Sequence, residues 1–178
     1  MRVNDKKTQI LCIHPSSNDN VTSYIRAGSG EILSKDTLKI LGFHFDHTPT
    51  ATKHVTETIN NFYSKLWTLR FLKRSGMGAA DLIKIYKTVI RAGAEYCSVV
   101  YHSLIPDYMA ERLERVQEQA MKIIYGRGLN YRRMVQEGEL ETLQERRRTA
   151  VKKFALKASK SARFGDKWFP KNLSLIHI

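Results

Sequence analysis

What most constrains the folding of this 178-residue chain is a change in the spacing of its apolar residues. Up to Asp46 they come in short, partly alternating runs, whereas Val55, Ile59, Phe62, Leu66 and Leu69 fall at steps of three and four. A period of two belongs to strands with one covered face, and a period near 3.6 to a helix with one apolar stripe. The chain therefore reads as strands followed by helices, which is α+β rather than alternating α/β.

Thr8 to His14 reads as a first strand, ended by the turn formers Pro15 to Asn20. Val21 to Arg26 reads as a second, closed by Ala27-Gly28-Ser29-Gly30, and Leu38 to Phe45 as a third in which Gly42 marks a bulge. An antiparallel hairpin or meander over about residues 7–46 is too small to stand alone. The first helix is expected from about Thr52 to Arg74, before Gly76 and Gly78. Leu82, Tyr86 and Val89 begin a second that runs past Gly93 and through Cys97 to Tyr101. Pro106 and Asp107 open a third, with a stripe of Met109, Leu113, Val116, Ala120 and Ile123, stopped by Gly126 and Gly128. Leu140, Leu143, Val151, Phe154 and Ala158 give a fourth, basic helix around Arg146-Arg147-Arg148.

Composition bounds the function classes. Apolar residues at 42% and charged residues at 26% describe a folding chain rather than a disordered one. No apolar run approaches the roughly 18 residues of a membrane span, and the first residues are charged where a secretory signal is apolar, so a soluble, intracellular chain without membrane contact is expected. Cys12 and Cys97 are expected to be small core residues in a reducing compartment. Thirty Lys and Arg against seventeen acids give +13. Ten of those cations against one acid lie between Arg146 and Lys171, and eight against three between Thr48 and Ser103. Two basic segments flanking an acidic middle suit a polyanion, with a merely solvated surface as the equally weighted alternative.

Candidate chemistry is sparse. The seven aspartates are scattered with no adjacent pair, so metal-dependent phosphoryl transfer by this chain alone is not expected. His44, Asp46, His47 and His54 cluster, but their spacing matches no zinc pattern and a structural or surface role is expected. Gly28-Ser29-Gly30 and Gly76-Met77-Gly78 lack the continuation of a phosphate-binding loop. Tyr63, Trp67, Phe71, Tyr86 and Tyr96 are interleaved with Lys65, Arg70, Lys73, Arg74, Lys84, Lys87 and Arg91. Most of those rings are expected between helices, and the cations on the opposite face against phosphate. Arg146, Arg147, Arg148, Lys152 and Lys153 form the second expected phosphate-binding set.

An ordered series of short motifs resembles the downstream part of a reverse transcriptase of non-LTR, LINE-like (jockey-type) retrotransposons. It runs from Asn4-Asp5-Lys6-Lys7-Thr8-Gln9 through Leu41-Gly42-Phe43-His44-Phe45-Asp46, His54-Val55 and Leu66 to Arg74, then Tyr86 to Arg91 and Glu95-Tyr96. It continues through Leu113 to Gln117 with Ala120, Leu143 to Arg147, Phe154 to Lys157 and Trp168-Phe169-Pro170. The resemblance implies that residues 1–47 are the palm strands after the catalytic Asp-Asp turn, with Leu41-Gly42-Phe43 in the primer-grip region. It implies a thumb over 48–128 and a basic post-thumb region over 129–172. Lys7 matches the palm lysine that assists nucleotide addition. Magnesium is implied only for the complete polymerase, whose fingers and catalytic aspartates would precede Met1 in the same polyprotein and be this chain's partners together with RNA template and DNA primer. Leu173 to Ile178 looks like the translation of a sequencing-library adapter.

Two alternatives stand beside that expectation: an independent basic helical nucleic-acid-binding module, and a relic of a decayed element. A fragment leaves Ile10, Ile13, Ile40 and Phe43 partly uncovered, whereas an independent module buries them. For the chain alone, primer extension with purified protein, template–primer and magnesium is expected to give no product, and extension above a protein-free control would overturn the fragment expectation.

Overall fold

The computed structural model describes residues 8–13, 24–27, 30–48 and 50–168. Its architecture is α+β, two antiparallel hairpins followed by a helical bundle. The first hairpin pairs β1 (Tyr24–Ala27) with β2 (Gly30–Leu33), setting Tyr24 opposite Leu33. The second pairs β3 (Thr37–Ile40) with β4 (Phe43–Asp46), setting Ile40 opposite Phe43. Leu41 and Gly42 connect these last two strands with φ of 48° and 84°. A two-residue turn with both φ positive follows the right-handed twist of the strands, so Gly42 serves a tight turn and not the expected bulge. A Cβ there would meet the Tyr96 ring in ordinary contact at 3.4 Å, so it is the positive φ that favours glycine. Between Thr8 and Ile13 the expected strand reduces to one bridge, Ile10 with Ser34.

α1 (Thr52–Arg74) has the expected limits. Its first turn lacks a cap on its own N-cap residue, Ala51, and the Asp46 carboxylate at the end of β4 instead accepts from the Lys53 amide at 3.2 Å. Its last turn closes with Gly76 N–H donating to the Lys73 carbonyl and Met77 N–H to that of Leu72, the paired bonds of a Schellman motif with Gly76 at φ 86°. Val55, Ile59, Phe62, Leu66 and Leu69 are at most 2% exposed. They join one core with Met109, Leu113, Val116, Ala120, Met121 and Ile124 of α5 (Asp107–Tyr125).

The second expected helix is divided. α2 (Ala79–Ile85) passes into a π-helical turn, Tyr86–Arg91, then α3 (Ala92–Glu95), and after a break α4 (Ser98–Tyr101). The wider π turn rotates the stripe, so that Ile90 is buried and Val89 is 56% exposed, the reverse of the expected 3.6 spacing. The break falls at Cys97, left-handed at φ 56°. It lets the Tyr96 hydroxyl donate to the Leu41 carbonyl in the hairpin turn and that of Tyr101 to the Ala94 carbonyl.

α6 (Tyr131–Glu137) was not expected; it is short, buries Met134, and is capped by the Asn130 side chain accepting from the Arg133 amide at 2.8 Å. α7 (Leu143–Ser159) starts at a capping box of Thr142 and Glu145, and the bonds from Thr142 hold the Glu145 carboxyl below its ordinary range. α8 (Gly165–Trp168) ends the described chain. None of the described helices is long and apolar enough to cross a membrane.

A buried polar chain joins these helices. The Tyr86 hydroxyl donates to Gln117 Oε1 at 2.6 Å, and Gln117 Nε2 donates to the Tyr131 hydroxyl at 2.8 Å and the Glu141 carbonyl at 3.1 Å. The Tyr131 hydroxyl in turn donates to Glu114. Burial raises the pKa of both tyrosines, so both stay neutral donors. Tyr86→Phe leaves the fully buried Gln117 carbonyl without this donor. It is expected to lower stability by about 1–3 kcal/mol, read as a lower urea midpoint at an unchanged m-value.

Candidate nucleic-acid interface

Because α1 buries one stripe, its remaining faces are fixed. Tyr63, Trp67 and Phe71 follow one another at steps of four on an outer flank and are 45%, 66% and 53% exposed. Tyr96 is 52% exposed, and among the five interleaved rings only Tyr86 is buried. The expectation that most of them pack between helices is therefore corrected: Tyr63, Trp67 and Phe71 face outward, and Tyr96 leans on the β3–β4 turn, where its hydroxyl donates to the Leu41 carbonyl. Trp67 and Phe71 stack on each other with centroids 5.5 Å apart and planes 14° from parallel.

Beside those rings the ends of α1 and α5 form a cleft of about 290 Å³ lined by Arg70, Lys73, Arg74, Gln119, Lys122, Ile123 and Arg127. Lys73 Nζ donates to the Ile124 carbonyl at 2.9 Å, and Lys122 pairs with Glu118 at 2.7 Å. Among the described residues Arg70, Arg74 and Arg127 have no carboxylate within ion-pair distance. Sequence reading named Arg70, Lys73 and Arg74 but missed Lys122 and Arg127, which approach them only because α5 runs along α1. Five crowded cations with one paired acid favour an anion bridging them.

On the other side of α1 lies a second cleft, about 370 Å³, between it, the β3–β4 hairpin and α3. Lys39, His44, His54, Glu57, Asn61, Lys65 and Tyr96 are among its lining residues. Lys65 is exposed and reaches the Val89 carbonyl at 3.5 Å, away from the basic cleft. Lys84 is exposed and pairs with Asp81, and Lys87 is half-buried.

The basic C-terminal set is divided by burial. Arg148, Lys152 and Lys153 are exposed on α7. Arg147 is 3% exposed, its Nε lacks a hydrogen-bond partner, and burial lowers its pKa. Arg146 donates through Nε and Nη2 to Glu95 and through Nη1 to Glu141 at 3.1 Å, and its bonds to Glu95 raise its pKa. Arg91, 9% exposed, adds a second cation beside Glu95 at 3.3 Å. Arg146 thus ties α7 to Glu95 of α3, where Arg91 shares the carboxylate, and Arg147 is buried in the bundle, so none of the three is a free surface cation. Lys7 lies outside the described residues.

Among the described residues no group of three or more His, Cys, Asp or Glu side chains is placed to hold a metal ion. His54 is buried against Phe43, with ring centroids 4.3 Å apart, and His44 meets Glu57 at 2.9 Å. Burial, aided by nearby His44, lowers the His54 pKa against the opposing pull of Glu57, the Tyr96 backbone and Asp46. Burial, with Arg147 and Arg148 adding to it, lowers that of His102. Both groups resist protonation in the folded chain more than in the unfolded one. Their contribution is complete above the unfolded histidine value of about 6.5 and is lost as pH falls below it toward the depressed folded values. Thermal midpoints are expected to drop between about pH 7 and 5, and His54→Gln to shrink that drop.

No family model, curated protein or solved structure matches this chain.

Proposed function

We propose that this chain is the duplex-gripping part of a non-LTR retrotransposon reverse transcriptase, holding template and primer for catalytic aspartates encoded elsewhere in the polyprotein. The observation that carries the reading is the cleft where α1 and α5 end, with Arg70, Lys73, Arg74, Lys122 and Arg127 on one surface and, among the described residues, Glu118 the only acid paired with them. Such a surface contacts phosphates without reading base edges, as a polymerase that copies any sequence requires. Magnesium would be held by the rest of the enzyme.

The apolar faces of the hairpins favour this reading over an independent module. Ile13, Tyr24, Ile25, Leu33, Ile40 and Leu41 are 48–88% exposed and Ile10 is half-buried, while Phe43 is covered at 4%. Two-stranded hairpins are marginal without a partner surface, and the remainder of a palm would supply one.

Duplex affinity is expected to fall steeply with salt and to depend little on sequence. Arg70→Ala, Arg74→Ala and Arg127→Ala together should reduce the slope of log K against log salt, by about 0.9 for each phosphate of B-form DNA that is no longer neutralised. Arg147→Lys, a change inside the bundle, should leave the slope alone. A flat salt response of the unaltered chain would overturn the proposal.

A further inference from the structure

Trp67 and Phe71 are an unusual use of a helix surface. Fully burying a side chain of this size stabilises a fold by roughly 1.5–3 kcal/mol, yet both rings point outward beside a core that is already closed. The flank they share is otherwise polar, with exposed Asn60 and Ser64 next to the Tyr63, Trp67 and Phe71 series. An apolar protein partner would need neighbouring aliphatic surface, and among the described residues of this flank of α1 there is no aliphatic side chain. Its border instead consists of Arg70 and Arg74, three residues after Trp67 and Phe71 respectively, which belong to the basic cleft.

Rings set parallel to each other, laid along a helix at steps of about 6 Å and bordered by guanidinium groups that pair with no carboxylate among the described residues, match the needs of an unpaired polynucleotide. Bases are flat and have a stacking face whatever their identity, while their phosphates need cations alongside. A base-paired duplex offers no such faces except at its ends, so duplex binding in the cleft leaves the rings unexplained.

We infer that the outer flank of α1 is a stacking platform for single-stranded nucleic acid, with a base lying on the Trp67–Phe71 pair and the adjoining backbone held by Arg70 and Arg74. This rests on the nucleic-acid reading above and adds to it a second kind of contact, so that the chain touches the paired and the unpaired part of one substrate.

The test uses the full chain carrying Trp168→Phe, which leaves Trp67 as its only tryptophan. A short oligothymidylate is expected to quench Trp67 fluorescence, and a blunt-ended duplex of mixed sequence to do so far less. Trp67→Ala and Phe71→Ala should each weaken oligothymidylate binding about five- to a hundredfold, with duplex affinity within about twofold of the parent. Trp67→Phe should recover most of the affinity. Both rings are exposed, so thermal midpoints should stay at the parent value, and the Phe variant guards against a folding defect. Unchanged oligothymidylate affinity in both alanine variants, with salt-dependent duplex binding intact, would overturn the platform and leave the duplex grip standing. Absence of binding to either probe at low salt would overturn both. Quenching that rises with protein concentration alone, together with a dimer in sedimentation, would assign the rings to a second copy of the chain and overturn the platform.

Discussion

Burial of one stripe of α1 against α5 fixes the position of everything else. Val55, Ile59, Phe62, Leu66 and Leu69 together span the length of the helix and leave almost no surface to water. Each buried apolar side chain is worth roughly 1.5–3 kcal/mol, so turning the helix to hide Trp67 or Phe71 would expose a larger sum than it covers. The rotation of α1 is therefore set by its aliphatic positions. The aromatic flank, the basic cleft and the polar cleft under the hairpin are consequences of that rotation, lying at successive angles around one cylinder.

The bundle built on this seam is joined by polar bonds placed where helices of different direction meet. Gln117 sits on α5 among Val116, Ala120 and Met121, and its amide reaches Tyr86, Tyr131 and the Glu141 carbonyl. An amide in such a place is costly unless its donors and its acceptor are used, and these partners satisfy both ends. Glu95 does the same near the surface, drawing Arg91 and Arg146 from different elements onto one carboxylate. These contacts select one arrangement of helices that apolar packing alone would leave less defined.

Period and punctuation make α1 and α5 legible: their limits follow from glycines, a proline and apolar steps that no distant contact overrides. The hairpin turn escapes a sequence reading because Leu41-Gly42 lacks the usual Asn-Gly signal, and Leu41, 88% exposed, accepts a left-handed φ that the Tyr96 hydroxyl helps to fix. The π turn has no local signature in Tyr86 to Arg91, since it answers to what Ile90 can reach. General preference sends aromatic residues inward, and a helix already filled by five other side chains does not follow it. Arg147 is readable in part: it stands four residues after buried Leu143 and eleven before buried Ala158, on the covered face of α7. Counting charge along a sequence does not say which side of a helix carries it, and the orientation of α7 decides that Arg148, Lys152 and Lys153 face water while Arg147 does not.

The two hairpins differ in how firmly the helices hold them. β3 and β4 are anchored by buried Phe43, by Asp46 capping α1, by Lys53 Nζ donating to the Thr37 hydroxyl at 2.8 Å and by the Tyr96 hydroxyl on the turn. β1 and β2 have their own ladder and an exposed Arg26–Glu31 pair, of the kind worth at most about 1 kcal/mol, while Tyr24, Ile25 and Leu33 stand in solvent. Two strands with so little cover gain too little from burial to offset the entropy of ordering them. The additional palm surface that the proposed function calls for would supply the missing term, and the anchored second hairpin would hold it in register with α1. On the proposed function, the four short strands would fix the duplex grip and the stacking platform of α1 relative to that surface.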